Sequence, residues 1–169
     1  RYCLGLFILG RCALLVWSPT CKEGLIGIFK GGKAMAEIRI VNPESLGKPL
    51  GQYSQIARVK ASEYLYIAGQ VATDRSGAVV GEDDIDAQCA QVFANIGAAL
   101  ASCGAGWGNV VQFTTYLVHS QDIPKFMQYR LREMPRMFAN GAYPPNTLLM
   151  VDRLVREAFL VEVQTVAAL

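Results

Sequence analysis

The chain has 169 residues, with 16 Lys and Arg against 14 Asp and Glu, for a formal net charge of +2. This length suggests one domain that can bury a sizeable core. Residues 1–34 contain five basic residues and one acidic residue, a net charge of +4, which leaves −2 for residues 35–169. An acidic body without a block of Lys or Arg argues against a nucleic-acid-binding protein. One histidine, His119, is too few for a His-rich metal site.

The first 34 residues differ in character from the rest. Residues 2–17 form an apolar run that only Arg11 interrupts. As a helix this run would reach about 24 Å, short of the roughly 30 Å hydrocarbon core of a bilayer. The sequence from Met35 onward is typical of an ordinary protein start. We therefore predict that residues 1–34 are translated upstream sequence and that residues 35–169 form the domain; the alternative is a genuine N-terminal anchor.

Alternation and turn residues predict six strands and two helices in the body. The strands are predicted at 38–41, 54–59, 64–68, 110–118, 147–151 and 159–166. The first helix is predicted over 85–103, with Gly104 ending it. The second begins near Asp122 with Pro124 in its first turn, and Pro135 is expected to bend or end it. Its buried side is predicted to comprise Phe126, Met127, Arg130, Leu131, Met134 and Phe138.

Two cysteines of the body fall on the first predicted helix. Cys89 and Cys103 would lie about 21 Å apart there, too far for a disulfide. Both are predicted to be small core residues of a reduced, cytoplasmic protein.

The order β-β-β-α-β-α-β-β predicts an α+β fold with the helices packed on one face of a sheet. A turn at Ser62 and Glu63 predicts a hairpin between the second and third strands. The second face of the sheet would be apolar and uncovered, so we predict a homo-oligomer. The residues predicted for that face are Val110, Thr114, Tyr116, Leu160 and Val166.

One carboxylate, Glu162, interrupts the last and most apolar strand. Alternation places it on one strand face with Leu160, Gln164 and Val166. A carboxylate in a strand that is covered on both sides is costly unless it is paired or has a chemical role. Two readings stay open: a functional carboxylate, or a Glu at a sheet edge that reaches water or a neighbouring Arg.

An ordered set of short stretches resembles the Rid (YjgF-like) reactive intermediate deaminase family over nearly all of residues 35–169. The matching stretches are 51–55, 66–70, 86–88 with Asn95, 110–118 with Asp122 and Phe126, 143–145 and 161–163.

The resemblance implies a chorismate-mutase-like fold assembled as a homotrimer, with a small-molecule substrate bound in clefts between subunits. It implies hydrolysis of enamines and imines to a carbonyl product and ammonia, a form of metabolite damage control in the cytoplasm, without metal or other cofactor. From composition, we expect neither a nucleic-acid partner nor a membrane partner for residues 35–169. Glu162 falls at the family's water-positioning glutamate and Tyr53 at the tyrosine that lines the pocket. The implied substrate-binding positions also include Ala68, Gly69, Asn146, Thr147 and Leu148.

Two positions depart from the family pattern. Asn146 stands where the family has an arginine that binds the substrate carboxylate, and Ala68 stands where a serine is expected. Arg130 or Arg153 could supply the missing cation, or could instead form a salt bridge at a surface or interface. Asn146 could equally be a turn residue that bonds local backbone, and Tyr53 a core residue. The departures favour an alternative function, a non-catalytic trimer that binds a small metabolite or regulates another enzyme.

Overall fold

The structure, a computed structural model, describes residues 36–169. The prediction about residues 1–34 lies outside this part of the chain. The described elements follow the predicted order, with short 3-10 turns before β4 and α2. They are β1 (Glu37–Val41), β2 (Ile56–Lys60), β3 (Tyr64–Gln70), α1 (Ile85–Ser102), β4 (Val110–Leu117), α2 (Ile123–Met137), β5 (Asn146–Met150) and β6 (Val161–Ala168).

The strands form two sheets. β1 and β2 pair antiparallel as a separate two-stranded ribbon, and the main sheet has the order β3-β6-β4-β5. β6 pairs antiparallel with both of its neighbours, whereas β4 and β5 pair parallel. The main sheet is therefore mixed, and the last strand of the chain lies in its interior.

Both helices begin where the sequence predicts. Asp84 caps α1, because its carboxylate accepts from the backbone N–H groups of Asp86 and Ala87 at 3.0 and 3.2 Å. Pro124 occupies the first turn of α2, where a missing N–H does no harm. The buried sides of the helices pack with one face of the main sheet into a single core that includes Phe93, Phe113, Phe126, Val161 and Val163. These features confirm an α+β fold with a mixed sheet and two helices.

Alternation divides the main sheet into a core face and an open face. On β6, Val161, Val163 and Thr165 are buried, while Glu162 and Gln164 are partly or fully exposed. We use "open face" for the outward side chains of the four strands. They are Tyr64, Tyr66, Ala68, Gln112, Thr114, Tyr116, Thr147, Leu149, Glu162, Gln164 and Val166.

Two residues predicted for the open face lie in the core instead. Val110 is 3% exposed because the register of β4 against β6 shifts between Val110 and Gln112, which changes the side on which its side chain lies. Leu160 precedes the first residue of β6 and packs into the core. Thr114, Tyr116 and Val166 lie on the open face as predicted.

The predicted hairpin between β2 and β3 is wrong. β2 pairs with β1, and the backbone N–H groups of Ser62 and Glu63 donate to the C=O of Leu169 at 3.2 and 3.3 Å. The turn residues therefore tie β3 to the end of β6 instead of closing a ribbon with β2. The predicted second strand also began two residues too early, since β2 starts at Ile56.

The helices differ from the sequence-based expectations at three positions. α2 runs two residues past Pro135, because proline removes only one helical N–H and the last turn closes through Phe138 N–H to Met134 C=O at 2.8 Å. Leu131 is 63% exposed, and Tyr129 takes its place on the buried side. Cys103, the residue that caps the end of α1, is exposed and does not belong to the core.

Cys89 is buried as predicted, and burial raises the pKa of its thiol to about 12. Within residues 36–169, neither helix combines the length and the apolar character needed to cross a membrane.

Candidate functional site

Glu162 lies in the interior of the main sheet. β6 is flanked by β3 and β4, and Glu162 stands opposite Tyr116 of β4. Its side chain is partly exposed on the open face. The reading of Glu162 as a residue of an edge strand is therefore wrong.

Glu162 opens into a cleft of about 520 Å³, which we call the Glu162 cleft. Polar or small groups of the strands line one part of it, and the segment that follows β5 lines the other. Its lining residues are Ala68, Gly69, Tyr116, Val151, Arg153, Leu154, Val155, Glu162 and Gln164. The cleft is large enough for a small metabolite and places one carboxylate and one guanidinium on the same cavity.

The segment after β5 is held against the sheet at its first residue. The backbone N–H of Val151 donates to the C=O of Leu117 at 3.0 Å, which fixes the segment beside the end of β4. Leu154 is buried, whereas Arg153 and Val155 are exposed. This local structure brings Arg153 to the rim of the Glu162 cleft.

Gly69 gives the carboxylate of Glu162 the space that it occupies. A Cβ atom built on Gly69 would overlap the Oε1 atom of Glu162. The register of β3 against β6 also shifts between Ile67 and Gln70, which is where a glycine or a bulge allows close approach of a side chain to the backbone. Gly69 and Ala68 therefore line the cleft beside Glu162.

Gln88 is a buried positioning residue that the sequence did not single out for a role. It is fully buried; its amide donates to the C=O groups of Gly81 and Ala158 at 3.1 and 2.7 Å and accepts from the N–H of Leu160 at 2.9 Å. These bonds join α1 to the residues immediately before β6. They fix the strand end that carries Glu162.

Asn146 lies away from the Glu162 cleft within one protomer. It pairs with Phe113 of β4, so its side chain is on the core face, and Thr115 Oγ1 donates to its Oδ1 at 2.9 Å. Its side chain therefore bonds across to the neighbouring strand, and the hypothesis of a turn residue bonded to local backbone is wrong. Leu148 packs at the core margin and Thr147 points to the open face.

Tyr53 and Arg130 form a second group, also apart from the residues that line the Glu162 cleft. The Arg130 side chain is buried, donates to the C=O of Gln52 and packs over the ring of Phe126 at 5.6 Å. Burial lowers the pKa of the Arg130 guanidinium to about 10. Tyr53 is half-buried, and its hydroxyl lies 3.5 Å from the N–H of Leu50. Arg130 thus holds the loop that carries Tyr53.

The first ribbon gathers basic side chains that are scattered in the sequence. Arg39 stands opposite Arg58, and Lys60 stands opposite Glu37. Glu37 binds Arg39 through the Nε atom at 2.8 Å. The sequence contains no basic block, so this cluster arises only from the strand pairing. Within residues 36–169, no group of three His, Cys, Asp or Glu side chains is arranged to hold a metal ion.

Comparison with known proteins adds the following. A family model described as Endoribonuclease L-PSP matches residues 44–169. The chain is similar to a RutC family protein from Synechocystis sp., with 31% identity over 137 residues that cover 78% of this chain and 97% of that protein. A RutC family protein from Pyrococcus horikoshii is 30% identical over 128 residues, covering 76% of this chain and 95% of that protein.

Solved structures share the same fold. The crystal structure of YyfB from Yersinia pestis, a protein of unknown function of the Rid family, has a TM-score of 0.71 at 30% identity and covers 78% of this chain and 98% of that chain. The structure of E. coli TdcF with bound serine has a TM-score of 0.57 at 17% identity, with 78% and 98% coverage. The segment matched by the family model contains every residue that lines the Glu162 cleft.

Proposed function

This chain belongs to the Rid (YjgF-like) family, and from this premise we propose that it hydrolyses reactive enamines and imines to a carbonyl compound and ammonia. The observation that carries the proposal is the position of Glu162, a partly buried carboxylate on an interior strand that faces a cleft of about 520 Å³. A small substrate and one water molecule fit in a cleft of this size. The fold neighbour TdcF, which has bound serine, supports a small polar ligand for the fold.

The reaction needs few protein groups. An enamine first takes a proton on carbon and becomes an iminium ion. The carboxylate of Glu162 then accepts a proton from a water molecule while the water oxygen forms a bond to the iminium carbon, which gives a carbinolamine. The nitrogen takes up that proton, the C–N bond breaks as the C=O bond forms, the hydroxyl proton passes to the carboxylate of Glu162, and ammonia leaves. One water is consumed for each carbonyl and each ammonia produced, and no electrons are exchanged.

We further propose the assembly and setting implied by the family: a chorismate-mutase-like homotrimer in the cytoplasm that removes reactive metabolites without a cofactor. The open face supports the assembly, because Tyr66 is 78% exposed and Tyr64 is 43% exposed on it. A partner that covers this face would also bring its own residues towards the Glu162 cleft. Tyr53, Asn146, Thr147 and Leu148 could then complete a site that one protomer leaves in parts.

The test compares the full chain with Glu162→Gln, using 2-iminobutanoate generated in situ by a dehydratase. Release of 2-oxobutanoate is timed against the uncatalysed rate. We expect the variant to lose at least about 100-fold in kcat, since a positioned general base contributes roughly 10²–10⁴-fold. Glu44→Gln, in an exposed loop, is the matched control and should keep the parent rate. Equal rates for the parent and Glu162→Gln would refute the role of Glu162.

The second candidate is a non-catalytic trimer that binds a small metabolite or regulates an enzyme. Asn146 favours it, because the residue brings no charge and its amide oxygen already accepts from Thr115. A parent protein that binds 2-oxobutanoate but never exceeds the uncatalysed rate of hydrolysis would support this candidate. Hydrolysis that depends on Glu162 would exclude it.

We do not propose ribonuclease activity, despite the name of the family model. The body carries a net charge of −2, and Glu37 already binds Arg39 of the basic cluster on the first ribbon. Strong binding of an RNA backbone needs several unpaired basic groups along a groove.

A further inference from the structure

The Glu162 cleft contains a cation that the family pattern does not assign. Arg153 lies on the rim of the Glu162 cleft and has the opposite charge to Glu162. It belongs to the segment after β5, which the bond from Val151 N–H to Leu117 C=O holds beside the sheet. Asn146, at the position where the family has its arginine, is turned to the core face and bonded to Thr115. Within residues 36–169, Arg153 is the basic side chain that lines this cleft.

We propose that Arg153 is the anion anchor of this protein and that it binds the carboxylate of a 2-imino acid whose imine carbon lies at Glu162. This inference rests on the proposed function and names its substrate class. A 2-imino acid has a carboxylate at one end and a protonated nitrogen beside it, so its charges match those of the cleft. A guanidinium suits the task because its planar donors can bind both oxygens of a carboxylate.

The guanidinium of Arg153 already pairs with a carboxylate of the protein, that of Glu157. Arg153 Nη1 lies 3.0 Å from Oε1 of Glu157, and its Nε donates to the C=O of Leu154 at 3.3 Å. The two side chains of the pair are 62% and 78% exposed. An ion pair this exposed is weak, so a ligand carboxylate can displace Glu157. Glu157 thereby holds the guanidinium at the rim and competes with the ligand for it.

This competition predicts opposite effects for the two halves of the pair. Removing the charge of Arg153 removes the anchor and weakens binding of a carboxylate. Removing the charge of Glu157 removes the competitor and strengthens the same binding. A pair that only stabilised the loop would give the same direction of effect for both substitutions.

The test measures the Kd of 2-oxobutanoate by isothermal titration, because this stable product of the proposed reaction reports binding without turnover. We expect Arg153→Gln to raise the Kd roughly tenfold and Glu157→Gln to lower it about two- to fivefold. Arg136→Gln is the matched control, since the exposed side chain of Arg136 also pairs with a nearby carboxylate on its own segment, that of Glu133 at 2.9 Å. It should leave the Kd unchanged.

Butanone, which has no carboxylate, is the ligand control, and none of the three substitutions should change its affinity. The inference is overturned if Arg153→Gln leaves the Kd of 2-oxobutanoate unchanged, if Glu157→Gln raises it, or if the parent binds none at millimolar concentrations. Turnover is scored separately with Glu162→Gln. If hydrolysis depends on Glu162 but not on Arg153, the proposed function is supported and the role of Arg153 is refuted. If 2-oxobutanoate binding depends on Arg153 but the protein does not accelerate hydrolysis, the role of Arg153 is supported and the proposed function is refuted.

Discussion

At the scale of single residues, the position of the Glu162 carboxylate depends on the absence of a side chain at Gly69. Glu162 Oε1 occupies the space in which a side chain at position 69 would lie, so Gly69 sets the orientation of the group that is proposed to hold water. Arg153, from the segment that follows β5, also lines the cleft. A small displacement of a catalytic group lowers the reaction rate strongly, because a misplacement of about 1 Å can reduce the rate roughly 100-fold.

Gly69→Ala tests this arrangement. The new methyl group would displace the Glu162 carboxylate, and we expect kcat for 2-iminobutanoate to fall at least about tenfold. Gly47→Ala is the control, because a Cβ there meets nothing within 4 Å. Thermal unfolding monitored by circular dichroism would separate lost positioning from lost folding. A Gly69→Ala variant with the parent kcat would show that the close approach has no catalytic consequence.

The sequence predicted part of this residue-level picture. Strand alternation placed Glu162 on the same side as Gln164 and Val166, because a period of two follows directly from the pleat. It could not predict the contact with Gly69, which depends on a register shift in the neighbouring strand. It also left open whether Arg130 or Arg153 reaches the cleft, since neither lies on β6 with Glu162.

At the scale of secondary-structure elements, a buried amide ties a helix to the strand of the site. Gln88 of α1 satisfies two C=O groups and one N–H, all of them outside the regular bonding of its own helix. Leucine at this position would leave those groups buried without partners, and each such group costs about 1–3 kcal/mol.

We therefore expect Gln88→Leu to lower the free energy of unfolding by about 3 kcal/mol or more. Urea denaturation followed by circular dichroism measures the change. Gln128→Leu, at an exposed position of α2, should stay within about 0.5 kcal/mol of the parent. Similar losses for the two variants would mean that the link from α1 to β6 does not stabilise the fold.

The helices were predictable because their ends carry local signals. Asp84 and Pro124 mark the first turns, and the apolar stripe of α1 fixes its buried side. The pairing of β2 with β1 was not predictable, because a turn at Ser62 and Glu63 suggested that β2 pairs with β3. Strand pairing is a tertiary choice, and short strands give little indication of their neighbours.

At the scale of the whole molecule, one side of the main sheet packs into the core, and within residues 36–169 no element covers the other side. The proposed trimer would cover the open face. Tyr66→Arg should therefore convert the trimer to a monomer, because an unpaired charge cannot be buried without a large cost. Sedimentation velocity measures the change. Leu131→Arg, at an exposed position of α2, is the control and should keep the trimer; a trimeric Tyr66→Arg variant would place the interface elsewhere.

The order of elements and the uncovered sheet face followed from the sequence, because both depend on hydrophobic patterns. The two errors on that face, Val110 and Leu160, arise where the register shifts or the strand has not yet begun. The completeness of the site could not be predicted from one chain. The residues proposed for it lie in separate places of the described protomer, and the proposed trimer would bring them together.

The central claim is that the Glu162 cleft hydrolyses C=N bonds. The most direct measurement follows 2-oxobutanoate and ammonia together as the full chain is added to 2-iminobutanoate formed in situ. The account predicts that both products form in equal amounts, faster than without protein, at a rate proportional to protein concentration, and that Glu162→Gln abolishes the increase. Product formation at the uncatalysed rate at every protein concentration would contradict it.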